Sequence, residues 1–265
     1  MPVTDSDMQR RASSFGAVAS AYAEHRPDYP REAIRWALAP AAGGDTGDLA
    51  GLPVLDLGAG TGKLTAQLAS LGVAVTAVEP DASMLAVLRS ALPSVPALDG
   101  SAESIPLPDG SVRAVLCGQA LHWFNLERAL PEIARVLAPG GVLAGLWNND
   151  DTRVEWVAGL HEAADGATTP NLTTRRSELK VMPLGDTAAL FAPPETSEFP
   201  NVQRCTAETL VATISTHSKF LILPPPDQRR IAEQVRGYLR SRPETSDGEF
   251  TLPLVTVALR TTQKG

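Results

Sequence analysis

The chain has few cysteines and no excess of basic charge. Its 265 residues include two cysteines. Cys117 and Cys205 are too few and too far apart in sequence to predict a disulfide framework or a metal site. The net charge is −7 and the pI is near 5.2. This argues against a nucleic-acid partner, because neutralising phosphates requires a basic face. The composition favours reduced thiols in a cytosolic enzyme with a small or uncharged substrate.

The sequence also lacks a long apolar run. The segment Met1–Arg11 is polar and is not followed by the apolar stretch of a signal peptide. No run approaches the length needed to cross a bilayer. With 43% hydrophobic and 20% charged residues, the composition is that of an ordinary folded protein. We therefore expect a cytoplasmic protein with no membrane partner.

The most informative segment is a glycine-rich turn between two apolar runs. Val54–Leu57 is followed by Gly58, Gly60 and Gly62, and the next apolar run ends at Glu79. Glycines let the backbone reverse and approach a ligand closely, and the N–H groups of a following helix point at that ligand. An acid at the end of the next strand accepts hydrogen bonds from ribose hydroxyls. The segment therefore predicts a site for a nucleoside-containing cofactor, although Glu79 as a plain surface acid remains an alternative.

The spacing of the turn disfavours two other nucleotide sites. A dinucleotide fingerprint has its third glycine three residues after the second, where this chain has Lys63. A P-loop needs a glycine at the position of Leu57 and a serine or threonine at that of Leu64. Hydride chemistry and a nucleoside triphosphate are therefore disfavoured.

Strand and helix patterns alternate along the chain, which is typical of a parallel sheet covered on both faces. We predict an α/β fold with a Rossmann-like seven-stranded sheet, N-terminal covering helices and an insertion after the fifth strand. One strand is expected before Asp99, and the others are Val54–Leu57, Val73–Val78, Val112–Cys117, Val142–Trp147, Phe199–Cys205 and an antiparallel Phe250–Leu259. Helices are expected at 15–26, 30–38, 64–71, 84–92, 130–137, 154–163, 207–214 and 227–239. Pro139-Gly140-Gly141 is predicted to end the helix before the fifth strand.

The chain is predicted to be a single domain with four parts. These are an N-terminal helical cover over 1–50, a cofactor-binding core over 51–150, a lid or insertion over 151–198, and the remaining sheet and helices over 199–265.

The motif Asp56-x-Gly58-x-Gly60-x-Gly62, followed by Glu79, resembles the cofactor site of class I S-adenosylmethionine-dependent methyltransferases. The segments Asp99–Asp109 and Arg135–Gly141 resemble the same family's loop after the third strand and its entry to the fifth. Residues 15–30 are similar to the N-terminal helix of a small-molecule branch that includes trans-aconitate methyltransferase, where the helix covers the cofactor. The resemblance implies S-adenosyl-L-methionine as cofactor and S-adenosyl-L-homocysteine as product.

The resemblance also implies a set of cofactor-binding residues. They are Tyr22, His25, Arg26, Asp56, Gly58, Ala59, Gly60, Thr61, Gly62, Glu79, Pro80, Met84, Ser101, Ala102, Glu103, Gln119 and Ala120. Glu79 is expected at the ribose, Pro80 and Met84 along the adenine, and residues 101–103 at its other edge. Tyr22 and His25 are expected to cover the methionine end, and Arg26 to pair with its carboxylate. Core packing for Tyr22 and Met84, a solvated helix end for residues 24–26, and structural support of the turn for Asp56 remain alternatives.

The segment Gly118–Phe124, here called the rim segment, follows the fourth strand and contains His122. The ordinary pKa of a histidine side chain lies near neutrality, so we predict His122 as the catalytic base that deprotonates the acceptor. A hydrogen bond within the loop or packing beside the cofactor is the alternative. Tyr22 is a second catalytic candidate. The rim segment lacks the Asn/Asp-Pro-Pro-aromatic tetrad of enzymes that methylate adenine or glutamine, which disfavours those acceptors.

The predicted function is methyl transfer to a small molecule, at oxygen, nitrogen or carbon, in secondary metabolism. A nicotinamide-dependent oxidoreductase and a non-catalytic S-adenosylmethionine-binding module are the alternatives. The chain is expected to be a monomer or homodimer, without a metal. Candidates for the acceptor pocket are Trp123, Phe124, Trp147, Asn148, Trp156, His161 and Thr216-His217-Ser218; the tryptophans among them suggest a flat or apolar acceptor.

Overall fold

The computed structural model describes residues 26–44, 47–164, 189–215 and 218–264, without the side chain of Ser218. The strands are β1 Pro53–Leu57, β2 Ala74–Glu79, β3 Ala97–Asp99, β4 Val112–Gly118, β5 Leu137–Asp150, β6 Glu195–Cys205 and β7 Phe250–Thr262. The helices are α1 Arg31–Leu38, α2 Lys63–Ser70, α3 Ala82–Ala91, α4 Leu126–Val136, α5 Glu155–Ala163, α6 Ala207–Ser215, α7 Ser218–Leu221 and α8 Pro225–Ser241. The predicted helix over 15–26 lies outside the described residues except for Arg26.

The strands form a seven-stranded sheet in the order β3-β2-β1-β4-β5-β7-β6. β1 pairs in parallel with β2 and β4, and β4 pairs in parallel with β5. β7 runs antiparallel to β5, because Gln263 N donates to Gly141 O while Asp151 N donates to Pro253 O. The predicted fold class is confirmed.

The strand order reverses between β1 and β4. Asp56 of β1 lies opposite Leu116 of β4, so the glycine turn Gly58–Gly62 and the rim segment begin at neighbouring strand ends. In open α/β sheets, ligands bind at the carboxyl ends of the strands where the order reverses. The fold thus brings the two predicted functional segments to the expected position.

The fifth strand differs from its prediction. α4 ends at Val136, and β5 begins at once with Leu137 opposite Val112. Val142 next pairs with Ala114, so β5 has extra residues at 138–141, where Gly140 has φ +72°. The prediction that Pro139-Gly140-Gly141 ends the preceding helix is wrong, because these residues form a β-bulge within the strand. The strand also continues to Asp150, three residues beyond its predicted end at Trp147.

The chain divides into two compact units. One, here called the sheet unit, comprises Asp28–Trp147, Val181–Phe199 and Thr256–Gly265; the other, the helical unit, comprises Met1–Pro27, Asn148–Lys180 and Pro200–Val255. Ile34, Val54, Leu68 and Leu116 lie in the apolar core of the sheet unit. Val157, Leu210 and Val235 lie in that of the helical unit. The predicted four-part division of a single domain stays a prediction.

A search of the described residues for helices with the length and apolar character to span a bilayer gives no candidate.

Candidate functional site

The glycine turn is held against the end of β2. Gly58 N and Ala59 N both donate to Val78 O, at 2.9 and 3.1 Å. The φ angles of Gly58, Gly60 and Gly62 are +70°, +57° and +91°. Residues with a Cβ rarely adopt this left-handed region, so the turn depends on glycine at alternate positions.

The three glycines differ in what surrounds them. A Cβ on Gly58 would lie 2.7 Å from the Cβ of Ala120, and one on Gly62 would lie 3.0 Å from Leu88 Cγ. At Gly60 the nearest non-neighbouring atom among the described residues is Met84 Sδ, 3.8 Å from an added Cβ. Gly58 and Gly62 therefore allow the chain to pack on itself, whereas the Cβ position of Gly60 has no close contact within the described part of the chain.

Glu79 connects the end of β2 to the glycine turn. Its Oε2 accepts a hydrogen bond from Gly60 N at 2.8 Å, and its Oε1 accepts one from Asp81 N at 2.9 Å. The residue is 6% exposed. Burial raises the pKa of the carboxyl group, while the two N–H donors oppose the rise. Each carboxylate oxygen can accept more than one hydrogen bond, so Glu79 can both hold the turn and accept from a hydroxyl.

Asp56 lies directly beneath the turn and is fully buried. Its Oδ2 accepts a hydrogen bond from Thr65 Oγ1 at 2.6 Å, and its Oδ1 has no partner among the described residues. Burial raises the pKa of Asp56 to about 7, the charge of Glu79 adds to the rise, and the Thr65 hydroxyl opposes it. Thr61 Oγ1, within the turn, is a second buried oxygen without a partner in the described part of the chain.

The raised pKa of Asp56 predicts that the free energy of unfolding depends on pH. Because the pKa in the folded protein lies above its ordinary value of 3.8, the folded state keeps a proton that the unfolded chain releases. The contribution of this retained proton to the free energy of unfolding is fully present below the pKa of the unfolded chain. It is lost as the pH rises to about 7. At about 1.4 kcal/mol per pKa unit, the loss is at most about 4 kcal/mol.

Asp56→Asn, which retains an oxygen for Thr65, should therefore flatten the dependence of the unfolding free energy on pH, measured by urea denaturation between about pH 4 and 8. Asp99→Asn, at an exposed carboxylate that ends β3, is the control and should leave the profile unchanged. A profile for Asp56→Asn that parallels the unmodified protein would contradict the assignment.

The start of α3 borders the turn. Asp81 caps this helix by accepting hydrogen bonds from Ser83 N and Met84 N at 2.9 and 3.0 Å. Met84 is buried, with its sulfur near Gly60, and Pro80 is exposed. Met84 therefore packs in the structure and also borders the open side of the turn.

The loop after β3 is held by α4. Glu103 Oε1 accepts a hydrogen bond from Asn125 N at 2.9 Å, and Ala102 is buried. Arg135 donates to Ile105 O and Leu107 O, both at 2.9 Å, and to Asp109 Oδ1 at 2.7 Å. This role of Arg135 has no local sequence signal, because these partners lie 26 to 30 residues away along the chain.

The second residue of the rim segment has an unusual backbone conformation. Gln119 has φ +56°, and its N–H donates to Leu146 O at 2.9 Å. Non-glycine residues in this conformation are uncommon and concentrate at functional sites. Ala120 follows and lies against Gly58.

His122 is exposed on a short 3₁₀ turn, Leu121–Trp123. Its Nδ1 accepts a hydrogen bond from Trp147 Nε1 at 3.2 Å, and its ring centre lies 4.6 Å from that of Trp123. Trp147 was predicted as a pocket wall, but it is fully buried. Its bond to His122 spans 25 residues and had no sequence signal.

The chain just before α1 docks beside the glycine turn. Tyr29 N donates to Gln67 Oε1 at 3.0 Å, and Gln67 Nε2 donates back to Tyr29 O at 2.6 Å. Lys63, the first residue of α2, pairs with Asp28 at 3.3 Å. A Cβ on Gly118 would lie 2.7 Å from Tyr29 Oη. Sequence reasoning assigned no role to these residues.

Other predicted residues lie in the helical unit or outside the described residues. Asn148 donates from Nδ2 to Pro27 O at 3.2 Å and accepts from Asn201 Nδ2 at 3.1 Å. Trp156 packs in the apolar core of this unit, and His161 Nε2 lies 2.9 Å from Asp150 Oδ2. Arg26 is partly exposed. Tyr22, His25, Thr216 and His217 lie outside the described residues, and the roles predicted for these and for Arg26 stay predictions.

In the part of the chain that the structure describes, no group of three histidine, cysteine or acidic side chains is arranged to hold a metal ion. Cys117 and Cys205 are buried free thiols, and burial raises the pKa of both.

Comparison with known proteins gives consistent results. Residues 55–145 match the model of a family described as "Methyltransferase domain". The chain is 40% identical over 260 residues to an uncharacterized methyltransferase of Mycobacterium tuberculosis (strain ATCC 25618 / H37Rv), covering 94% of this chain and 95% of that one. It is 31% identical to an uncharacterized methyltransferase of Schizosaccharomyces pombe, covering 89% and 92%.

A solved structure from Anaeromyxobacter dehalogenans, assigned as a type II methyltransferase, has a TM-score of 0.65 and 25% identity and covers 90% of this chain and 97% of that one. The fold, the turn and the near full-length relatives agree. The chain therefore belongs to the class I S-adenosylmethionine-dependent methyltransferases, and S-adenosylmethionine is its cofactor.

Proposed function

We propose that this chain transfers a methyl group from S-adenosylmethionine to a small-molecule acceptor, at an oxygen, nitrogen or carbon atom, in secondary metabolism. The observation that carries the proposal is the joint geometry of Glu79 and Gly60. A carboxylate at the end of β2 holds the amide of Gly60, and an added Cβ at Gly60 would have no contact closer than 3.8 Å among the described residues. The acidic net charge of −7 favours a small acceptor over a nucleic acid.

The residues of the turn fit this cofactor. Gly60 lets the backbone approach a ligand, Glu79 has spare acceptor capacity for ribose hydroxyls, and the buried Oδ1 of Asp56 lacks a partner among the described residues. A buried oxygen left without a donor costs free energy, so a donor from a ligand or a bound water there is favourable. In this proposal Asp56 supports the turn and orients the amino group of the methionine moiety.

Pro80 and Met84 are proposed to border the adenine on one side, and Ser101 and Ala102 on the other. Glu103 acts there through its bond to Asn125, which holds the loop after β3. Arg135 holds the same loop from Ile105 to Asp109. The adenine-binding loop is thus fixed before a ligand arrives, which reduces the entropy that binding costs.

When bound, the cofactor supplies an activated methyl group, so the protein has to align the acceptor and exclude water. The rim segment is proposed to hold the acceptor, with His122 on its exposed side. Its sequence Gly118-Gln119-Ala120-Leu121 lacks the tetrad of enzymes that methylate adenine or glutamine, which disfavours those two acceptors. We also propose that the protein has no nucleic-acid partner, is a monomer or a homodimer, and is located in the cytoplasm.

The function is tested by incubating the protein with methyl-labelled S-adenosylmethionine and a metabolite extract of the producing organism. A labelled small molecule, identified by mass, would support the proposal. Label in precipitable protein or nucleic acid would contradict the small-molecule acceptor. Tight binding of S-adenosylhomocysteine without any labelled product would favour a non-catalytic binding module.

A further inference from the structure

The bond between Trp147 and His122 determines where the imidazole carries its proton. The indole nitrogen of tryptophan is a donor and cannot accept a hydrogen bond. Nδ1 of His122 lies 3.2 Å from that nitrogen and accepts a hydrogen bond from it, so Nδ1 must be unprotonated. In a neutral imidazole, one nitrogen carries hydrogen and the other does not. The neutral His122 in this arrangement is therefore protonated at Nε2.

The donor in this pair is rigidly placed. Trp147 is fully buried in β5, next to Leu146, which pairs with Gly118. An added Cβ at Gly145 would lie 2.9 Å from Cζ3 of the Trp147 ring, so the indole lies against a position where a side chain would displace it. His122, by contrast, is exposed on a short turn. The buried indole of Trp147 thus fixes the orientation of the exposed His122 ring.

We propose that Trp147 is a positioning residue that holds His122 in its Nε2–H tautomer, so that His122 serves the site as a hydrogen-bond donor rather than as a base. This inference rests on the proposed function, since it assigns the acceptor to the rim segment. It replaces the base role expected from sequence. A base needs an unprotonated nitrogen facing the acceptor, and in this arrangement the unprotonated nitrogen is engaged by a buried indole.

The consequence concerns the acceptor. With His122 as a donor, the acceptor atom must reach the site with a lone pair already available, as an anion or a neutral atom with no proton to lose. A hydrogen-bond donor at this position orients the acceptor atom and restricts its motion. This alignment lowers the activation barrier of methyl transfer. Proton transfer to His122 is then not part of the reaction.

The first test reads the protein alone, without an acceptor. The chain contains four histidines and four tryptophans, so ¹⁵N-detected imidazole correlations and indole N–H signals can be assigned by single substitutions. At a pH where His122 is neutral, it should show the Nε2–H pattern without the other tautomer. The indole signal of Trp147 should move when His122 is replaced by alanine.

In Trp147→Phe, which removes the donor but keeps an aromatic ring, the second tautomer of His122 should become detectable. Trp123→Phe is the matched control. It alters the ring stacked on His122 but leaves the Trp147 N–H in place, so the Nε2–H tautomer should persist. An Nδ1–H tautomer in the unmodified protein would overturn the proposal, whether or not the Trp147 variant folds.

The second test uses the acceptor found with labelled cofactor. The amide of glutamine donates a hydrogen bond but cannot take up a proton at neutral pH, so His122→Gln should retain activity within about tenfold of the unmodified enzyme, while His122→Ala should lose more. Loss of a general base costs roughly 10²–10⁴-fold. If both variants fall by that amount, the donor role is wrong. If no methyl transfer is observed, the proposed function fails, but the spectroscopic measurement still tests the tautomer of His122.

Discussion

Replacing Glu79 with alanine is expected to weaken the binding of S-adenosylhomocysteine by roughly 100-fold. Hydrogen bonds to charged groups contribute about 1.5–3 kcal/mol each, so the two expected from a ribose amount, at the lower end of that range, to about 3 kcal/mol. The substitution also releases the amides of Gly60 and Asp81, which the carboxylate holds at 2.8 and 2.9 Å. Isothermal titration calorimetry on the purified protein measures the change directly.

The affinity of Glu79→Ala is compared with that of two further variants. Glu79→Gln keeps the length and one acceptor oxygen, and we expect an intermediate loss of roughly tenfold. Glu127→Ala removes an exposed acid in the first turn of α4 and should bind as the unmodified protein does. Unchanged affinity in Glu79→Ala would show that the ligand lies elsewhere. A loss shared by Glu127→Ala would indicate only a general effect of charge.

Gly60→Ala is expected to weaken cofactor binding by about one to two orders of magnitude, with a modest loss of stability. The residue has φ +57°, and among the described residues the nearest non-neighbouring atom to an added Cβ is Met84 Sδ at 3.8 Å. A left-handed non-glycine residue costs about 1–2 kcal/mol, and the added methyl group occupies space that we assign to the ligand. Overpacking of that kind costs about 1–3 kcal/mol, equivalent to roughly 10- to 100-fold in affinity.

Gly140→Ala is the matched control for this strain. Gly140 has φ +72°, and no described atom lies within 4 Å of an added Cβ, but it is in the β5 bulge. Both variants should lose similar unfolding free energy in urea denaturation, whereas calorimetry should show weaker S-adenosylhomocysteine binding for Gly60→Ala alone. Equal affinities in the two variants would contradict the assignment of the open face of Gly60 to the ligand.

The parts of the fold that could be predicted are those with local patterns. The strand before the glycine turn, the turn itself and the strand ending at Glu79 combine apolar runs with glycine at fixed spacing, and these constraints act over a few residues. Their observed positions agree with the prediction to within one residue. The approach of β1 to β4 follows from the order of strands and helices, so the place of the site could also be predicted.

The contacts within the site could not be predicted in the same way. Glu79 bonds to Gly60 across 19 residues, Tyr29 to Gln67 across 38 and Trp147 to His122 across 25. Such pairs depend on how strands and loops meet in space, and the periodicity of apolar residues in the sequence does not indicate them. The role of Trp147 in particular is hidden, because a buried tryptophan has the same sequence signal as a residue of the apolar core.

The β5 bulge was missed for a related reason. A Pro-Gly-Gly sequence after a helix is typical of a helix end, and here the helix does end nearby, at Val136. Pairing between Val112 and Leu137 starts the strand before the proline. The tertiary pairing therefore overrides the local signal and turns a predicted stop into a bulge.

The central claim is that the turn at Gly58–Gly62 and the carboxylate of Glu79 together bind the nucleoside of the cofactor. A crystal structure of the protein with S-adenosylhomocysteine tests it most directly. We expect both ribose hydroxyls within hydrogen-bond distance of the Glu79 oxygens and the ligand against the open face of Gly60. The same crystals with the ligand bound elsewhere, or with that crevice empty at saturating S-adenosylhomocysteine, would contradict the account.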